Sequence, residues 1–228
     1  GWLASRAIPK AEAADPTLHI NANIFQETWR MVGRARETRS VFLSIMGISW
    51  FWLTGATFLS QFPNFSKILI GGDASVVTLF MVTFSLGIGI GSFWCTRLLK
   101  GEISAKYAPL SALALTAFTL DLYFASRGLH APTTGLITAS NFMNSPANWR
   151  ILFDLTAISI CGGLYTVPLY AILQNDSDPS TRSRTIAANN IMNALFMVVG
   201  AIIATLMLAA DWTIPQVFLS LAIANGFV

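Results

Sequence analysis

Charge is what this sequence has least of. Asp, Glu, Lys and Arg make up 11% of its 228 residues, where a soluble domain carries about 25%. That shortage excludes a surface turned mainly toward water. Cysteine is almost as scarce. Cys95 and Cys161 are the only two, and both lie in apolar runs. A disulfide framework and a Cys-built zinc site are therefore excluded, and both thiols read as small buried residues. Histidine occurs twice, at His19 and His130, with no acidic partner, nucleophile elbow or metal-ligand spacing beside either. No catalytic constellation, metal or cofactor is expected in this segment. A net charge of +3 without a basic stripe leaves no support for nucleic-acid binding.

Apolar residues fill the space that charge vacates. They make up 54% of the chain, with sixteen Phe and seven Trp, and the mean hydropathy is +0.59. A membrane-spanning helix needs about 20 mostly apolar residues. Six such runs are expected, at about 40–64, 75–97, 107–126, 150–174, 186–209 and 213–228, the last still running at Val228. A spanning backbone must satisfy its own hydrogen bonds, and these runs are too long and too little alternating for barrel strands. The predicted fold class is all-α integral membrane, a six-helix bundle. Starting at Gly1 and stopping inside an apolar run, the chain reads as a segment of a longer protein, and Gly1–Pro9 has no signal-peptide layout.

The basic residues follow the same alternation. With the N-terminal segment placed in the cytoplasm, Arg6, Lys10, Arg30, Arg34, Arg36, Arg39, Arg97, Lys100, Lys106, Arg182 and Arg184 fall inside, and only Lys67, Arg127 and Arg150 fall outside. Lys and Arg accumulate on the cytoplasmic side of membrane proteins. Both ends of the chain are therefore expected in the cytoplasm. Residues 1–39 read as a cytoplasmic linker with an amphipathic helix at Ile20–Val32. That helix would lie on the membrane or pack on neighbouring protein.

Few polar residues interrupt the runs, and each has two readings. Gly87-Ile88-Gly89-Ile90-Gly91 has the look of a dinucleotide loop, yet it sits in an uncharged span with no strand before it. Gly87 and Gly91, four apart, instead permit close helix contact. Asp121 and Asp154 lie near the outer ends of the third and fourth runs. They read as solvated interfacial carboxylates, or as coupling sites for a proton or cation. Asn189, Asn190 and Asn193 form the densest polar cluster in any run. They bond helix to helix, or they face a substrate headgroup. Gly162-Gly163 with Pro168 is expected to break the fourth helix, as an ordinary kink or as part of a transport site.

Two stretches carry a family resemblance. Gly162-Gly163 leading through Val167-Pro168-Leu169, Ala171 and Leu173-Gln174, then Ile186-Ala187-Ala188-Asn189-Asn190, is the longer one; Glu37-Thr38-Arg39 leading into Gly47-Ile48-Ser49-Trp50-Phe51-Trp52 is the other. In order and spacing they resemble the bacterial lysophospholipid transporters of the major facilitator superfamily, over roughly Trp29 to Val228. The resemblance implies the C-terminal, six-helix half of such a transporter in the bacterial inner membrane. Lysophosphatidylethanolamine would move from the outer to the inner leaflet for reacylation. The implied partners are membrane lipid, the opposing N-terminal half and a fused acyltransferase. Asn189, Asn190, Asn193, Gln174, Trp50 and Trp52 are the implied substrate contacts. Gly91, Arg97 and Lys100 fall in a degenerate form of the superfamily's cytoplasmic loop motif, with Cys95 at its usual acidic position. Asn193 also stands where the family often has an acidic residue. A transporter for a drug or organic anion, or a membrane anchor for an acyltransferase, are the alternatives.

Overall fold

The structure is a computed structural model that describes residues 5–7, 30, 33, 36–131 and 135–228. Apart from Arg30, the expected amphipathic helix at 20–32 lies outside the described residues. The rest is helical. Long helices are α1 (Arg39–Asn64), α2 (Ala74–Leu99) and α3 (Ala108–Ser126). The short α4 (Ala139–Met143) precedes α5 (Trp149–Asp176), α6 (Arg182–Ala209) and α7 (Ile214–Asn225). Among the described residues the only strand-like pairing is a single bridge between Gly72 and Ile137. Among the described residues, five helices are long and apolar enough to cross a bilayer. The fold is that of a multi-pass helical bundle. The sixth expected span is the 12-residue α7. At about 1.5 Å per residue it is shorter than a hydrocarbon core about 30 Å thick.

The starts of α2, α4 and α7 carry side-chain caps, whereas those of α1, α3, α5 and α6 carry none. Asp73 accepts from the Ser75 amide at 2.8 Å and from its hydroxyl at 2.5 Å, which starts α2. Thr213 and Gln216 form a reciprocal capping box around Pro215 at the start of α7. α1 runs past Pro63 into a π-helical turn, Phe65–Ile70, which ends at Gly71 with φ 69°. Pro168 does not break α5. The helix is continuous over 28 residues, because neighbouring helices hold it from several sides.

Two sets of contacts define the ends of the bundle. At one end, Ile137 donates to the Gly71 carbonyl at 2.8 Å and Asp73 donates to Ile137 at 3.0 Å. The Ala139 amide donates to Ser75 Oγ at 2.8 Å. The loop before α5 is thereby stitched to the start of α2, and Phe142 of α4 plugs fully buried against Phe80, ring centroids 5.5 Å apart. At the other end, Ser40 Oγ donates to Asp176 at 2.5 Å. Side-chain hydrogen bonding to Ser75 holds the Asp73 carboxyl below its ordinary range. Its capping therefore supports the fold above the unfolded carboxyl's pKa and is lost as pH falls through the lower folded value. Asp73→Asn, which caps without a charge, is expected to remove that acid dependence; amide exchange at Ser75 and Val76 across an acid titration checks it.

α5 is the centre of the bundle and packs on α1, α2 and α3; α6 lies against α1, and α7 against α3. The α2–α5 seam is built from glycine. A Cβ on Gly91 would sit 2.1 Å from the Ile160 carbonyl oxygen, and one on Gly163 would sit 2.6 Å from that of Ile88. On Gly87 it would meet Ser159 Oγ at 1.8 Å. Backbones this close gain dispersion contacts that lipid tails cannot match. Both glycine motifs are thus packing surfaces, and the Gly162-Gly163 pair marks a contact rather than a break.

Candidate functional site

Hydrocarbon-length helices leave few polar groups to build a site from, so each one's neighbours decide its role. On α6, Asn189 and Asn193 share a face turned to α1. Asn193 Oδ1 accepts from Ser49 Oγ at 2.9 Å, and all three side chains are buried. Asn189 is 1% exposed, and its Oδ1 has no hydrogen-bond partner. A buried acceptor left unpaired is costly. Asn190 lies about 100° further round the helix and is exposed. The three amides therefore divide into a buried pair and a separate outward side chain.

The tryptophans divide too. Trp52 Nε1 donates to the Tyr170 hydroxyl at 2.9 Å, which joins α1 to α5 on a partly open face. Gln174 follows Tyr170 by one turn and is exposed. Trp50 points elsewhere and donates to Asn225 Oδ1 at 2.7 Å. Asn225 Nδ2 in turn donates to the Ala112 carbonyl and to Thr116 Oγ1, each at 2.8 Å. This node ties α1, α3 and α7 together, and sequence reasoning missed it. A lone Asn near the end of an apolar run gives no sign of its three partners. Trp50→Phe would leave Asn225 Oδ1 without a donor. It is expected to cost about 1–2 kcal/mol, measurable as a lowered unfolding midpoint in detergent.

Two apolar hollows flank these groups. One of about 260 Å³ lies between α1, α6 and α7, bordered by Trp50, Leu53, Gly200 and Leu221. The other, about 380 Å³, lies between α1, α3, α5 and the end of α7, bordered by Gly47, Tyr165, Leu169 and Asn225. Both have the chemistry to take hydrocarbon.

The acidic residues meet at the Asp73 end. Arg150 grips Asp121 with two nitrogens, Nε at 3.0 Å from Oδ2 and Nη2 on Oδ1, and both side chains are partly exposed. Asp121 is therefore a partly exposed, paired carboxylate. Asp154 is different: it is fully buried, one turn past Arg150, and neither carboxyl oxygen accepts a hydrogen bond.

Gly91 lies inside α2 at the glycine seam rather than in a loop. Arg97 stands in the last turn of α2 with its guanidinium 4.9 Å from the centre of the Phe93 ring. Lys100 ends the helix with φ 51°. Cations in these positions offset the carbonyl end of the helix dipole. Cys95 and Cys161 are free and buried. Among the described residues no group of three His, Cys, Asp or Glu side chains could hold a metal ion.

No family model, curated protein or solved structure matches this chain. What the geometry adds is a buried amide pair, a Trp–Tyr contact on an open face and two apolar hollows within one helical bundle.

Proposed function

We propose that the chain is one half of a membrane transporter that moves lysophospholipid, lysophosphatidylethanolamine in particular, from the outer to the inner leaflet. It would work in the bacterial inner membrane with both ends in the cytoplasm, opposite a second half of the transporter, and deliver its cargo to an acyltransferase. The observation that carries this reading is Asn189 Oδ1, a buried acceptor with no donor, one turn from the Ser49–Asn193 bond. An ammonium headgroup is a donor-rich partner for such an oxygen. A single acyl chain suits an apolar hollow such as that beside Trp50 and Gly200. Trp52 and Tyr170, half in contact with each other and half open, offer an amphipathic edge on the α1–α5 face.

A photoactivatable lysophosphatidylethanolamine tests the assignment. Illumination of the protein in nanodiscs is expected to label residues around Trp52, Tyr170 and Asn189. Excess unlabelled lysophosphatidylethanolamine should suppress that labelling, and excess diacyl lipid should not. Labelling confined to the exposed apolar face of α6, at Leu195, Val198 and Ile202, and insensitive to competitor would overturn it.

A further inference from the structure

Asp154 is the one carboxylate among the described residues whose two oxygens are both buried and unpartnered. Ionised carboxylates do not persist in such places. Without water, a donor or a close cation, the charge has nothing to solvate it, and the neutral acid is the form that survives. Arg150, one turn earlier on the same helix, already holds Asp121 with two nitrogens. The Asp121 carboxylate faces Asp154 at this corner of the bundle, an acceptor for a proton on Asp154 but not a donor to it. α3 contributes Asp121 and Tyr123, and Arg127 just past its end lies with its guanidinium over the Tyr123 ring. α1 has no ionisable side chain except Arg39 at the opposite end, and α2 none before Cys95. α7 has none. A metal ion would need several oxygen ligands, whereas a proton needs one.

We propose that Asp154 is a proton-binding site, loaded in the state described here, which exchanges its proton with the face that carries Asp121 and Arg150. In the loaded state one carboxyl oxygen carries the proton and Arg150 neutralises Asp121. On release the proton passes to water at the exposed Asp121 carboxylate. The Asp154 carboxylate left behind then recruits Arg150, one turn away on the same helix, and Asp121 is given up to solvent. The net change is one proton lost and one ion pair exchanged for another. That exchange gives the bundle two charge arrangements that differ by a proton at one end of its central helix, which is the device a proton-coupled machine requires. The inference rests on the fold and not on the identity of any cargo.

Infrared spectra of the full-length protein containing this chain, in nanodiscs, test it directly. At neutral pH the wild type is expected to show a protonated-carboxyl stretch that disappears in Asp154→Asn, weakens in Asp121→Asn because Arg150 is then free to pair with Asp154, and fades from the wild type as pH rises. Asp154→Asn mimics the neutral acid and is expected to unfold at the same temperature as the wild type. A wild type with no protonated carboxyl at neutral pH would overturn the proposal without recourse to any variant. So would a band that survives in Asp154→Asn. Loss of lysolipid transport with the band intact would instead count against the proposed cargo and leave the proton site standing.

Discussion

Replacing Gly91 with leucine is expected to abolish the folded bundle. Even a single methyl at this position would lie 2.1 Å from the Ile160 carbonyl oxygen, and backbone cannot turn aside as a flexible side chain can. Gly163 answers it from the other helix, where an added Cβ would lie 2.6 Å from the Ile88 carbonyl oxygen. Leucine would have to push α2 off α5, and α5 is the helix on which α1 and α3 also pack. Overpacking within a deformable core costs about 1–3 kcal/mol; here the clash is with backbone, and the expected loss exceeds about 4 kcal/mol, in the range that marks a named defect. Gly89 is the control. It lies on the same helix with nothing within 4 Å of its would-be Cβ, so Gly89→Ala is expected to be neutral or slightly stabilising through helix propensity. Yield of monodisperse protein and the unfolding midpoint in detergent distinguish the two.

The second large effect concerns Asn189. If its unpaired oxygen receives the substrate headgroup, Asn189→Ala removes a hydrogen bond to a charged donor, about 1.5–3 kcal/mol, or roughly ten- to a hundred-fold in flux at low substrate. Because that oxygen bonds nothing in the fold, the substitution is expected to change stability much less than it changes flux. Asn193→Ala is the contrasting case. It strips Ser49 of its partner, so it should lower stability as well as flux. Asn190→Ala, on the exposed face, is expected to leave both within a factor of about two of the parent. Flux of labelled lysophosphatidylethanolamine at matched protein level, alongside thermal unfolding, separates the three.

Why the bundle was legible and the site only partly so follows from how each is encoded. A span announces itself through some twenty consecutive apolar residues, and the observed bounds of α2, α3 and α5 differ from the expected ones by one or two residues. α6 begins earlier than expected, at Arg182, because polar and charged residues continue the helix beyond the apolar run, with no side-chain cap at its start. Polar residues carry no comparable statement of their partners. Asn189 and Asn193 could be placed on one face by spacing alone. That Asn190 stands apart depends on where α1 lies, which no local pattern records. Asp121 and Asp154 looked alike in the sequence, each one charge near the outer end of a run. They separate only when Arg150 reaches across from α5 to α3 and chooses one of them. Pro168 suggested a broken helix, since its own chemistry removes one backbone bond. Packing around α5 keeps the helix whole. Phe142 and Asn225 were invisible for the same reason: an aromatic in a loop and an amide at a helix end gain meaning from the pocket they fill.

The most direct measurement is uptake of labelled lysophosphatidylethanolamine by bacterial spheroplasts that lack their own lysolipid transporter and make the full-length protein containing this chain. The proposed function predicts uptake well above that of spheroplasts without the protein, with the label recovered in diacyl lipid once acyltransferase is present. Uptake no greater than that background, with the protein shown to be folded in the membrane, would contradict it.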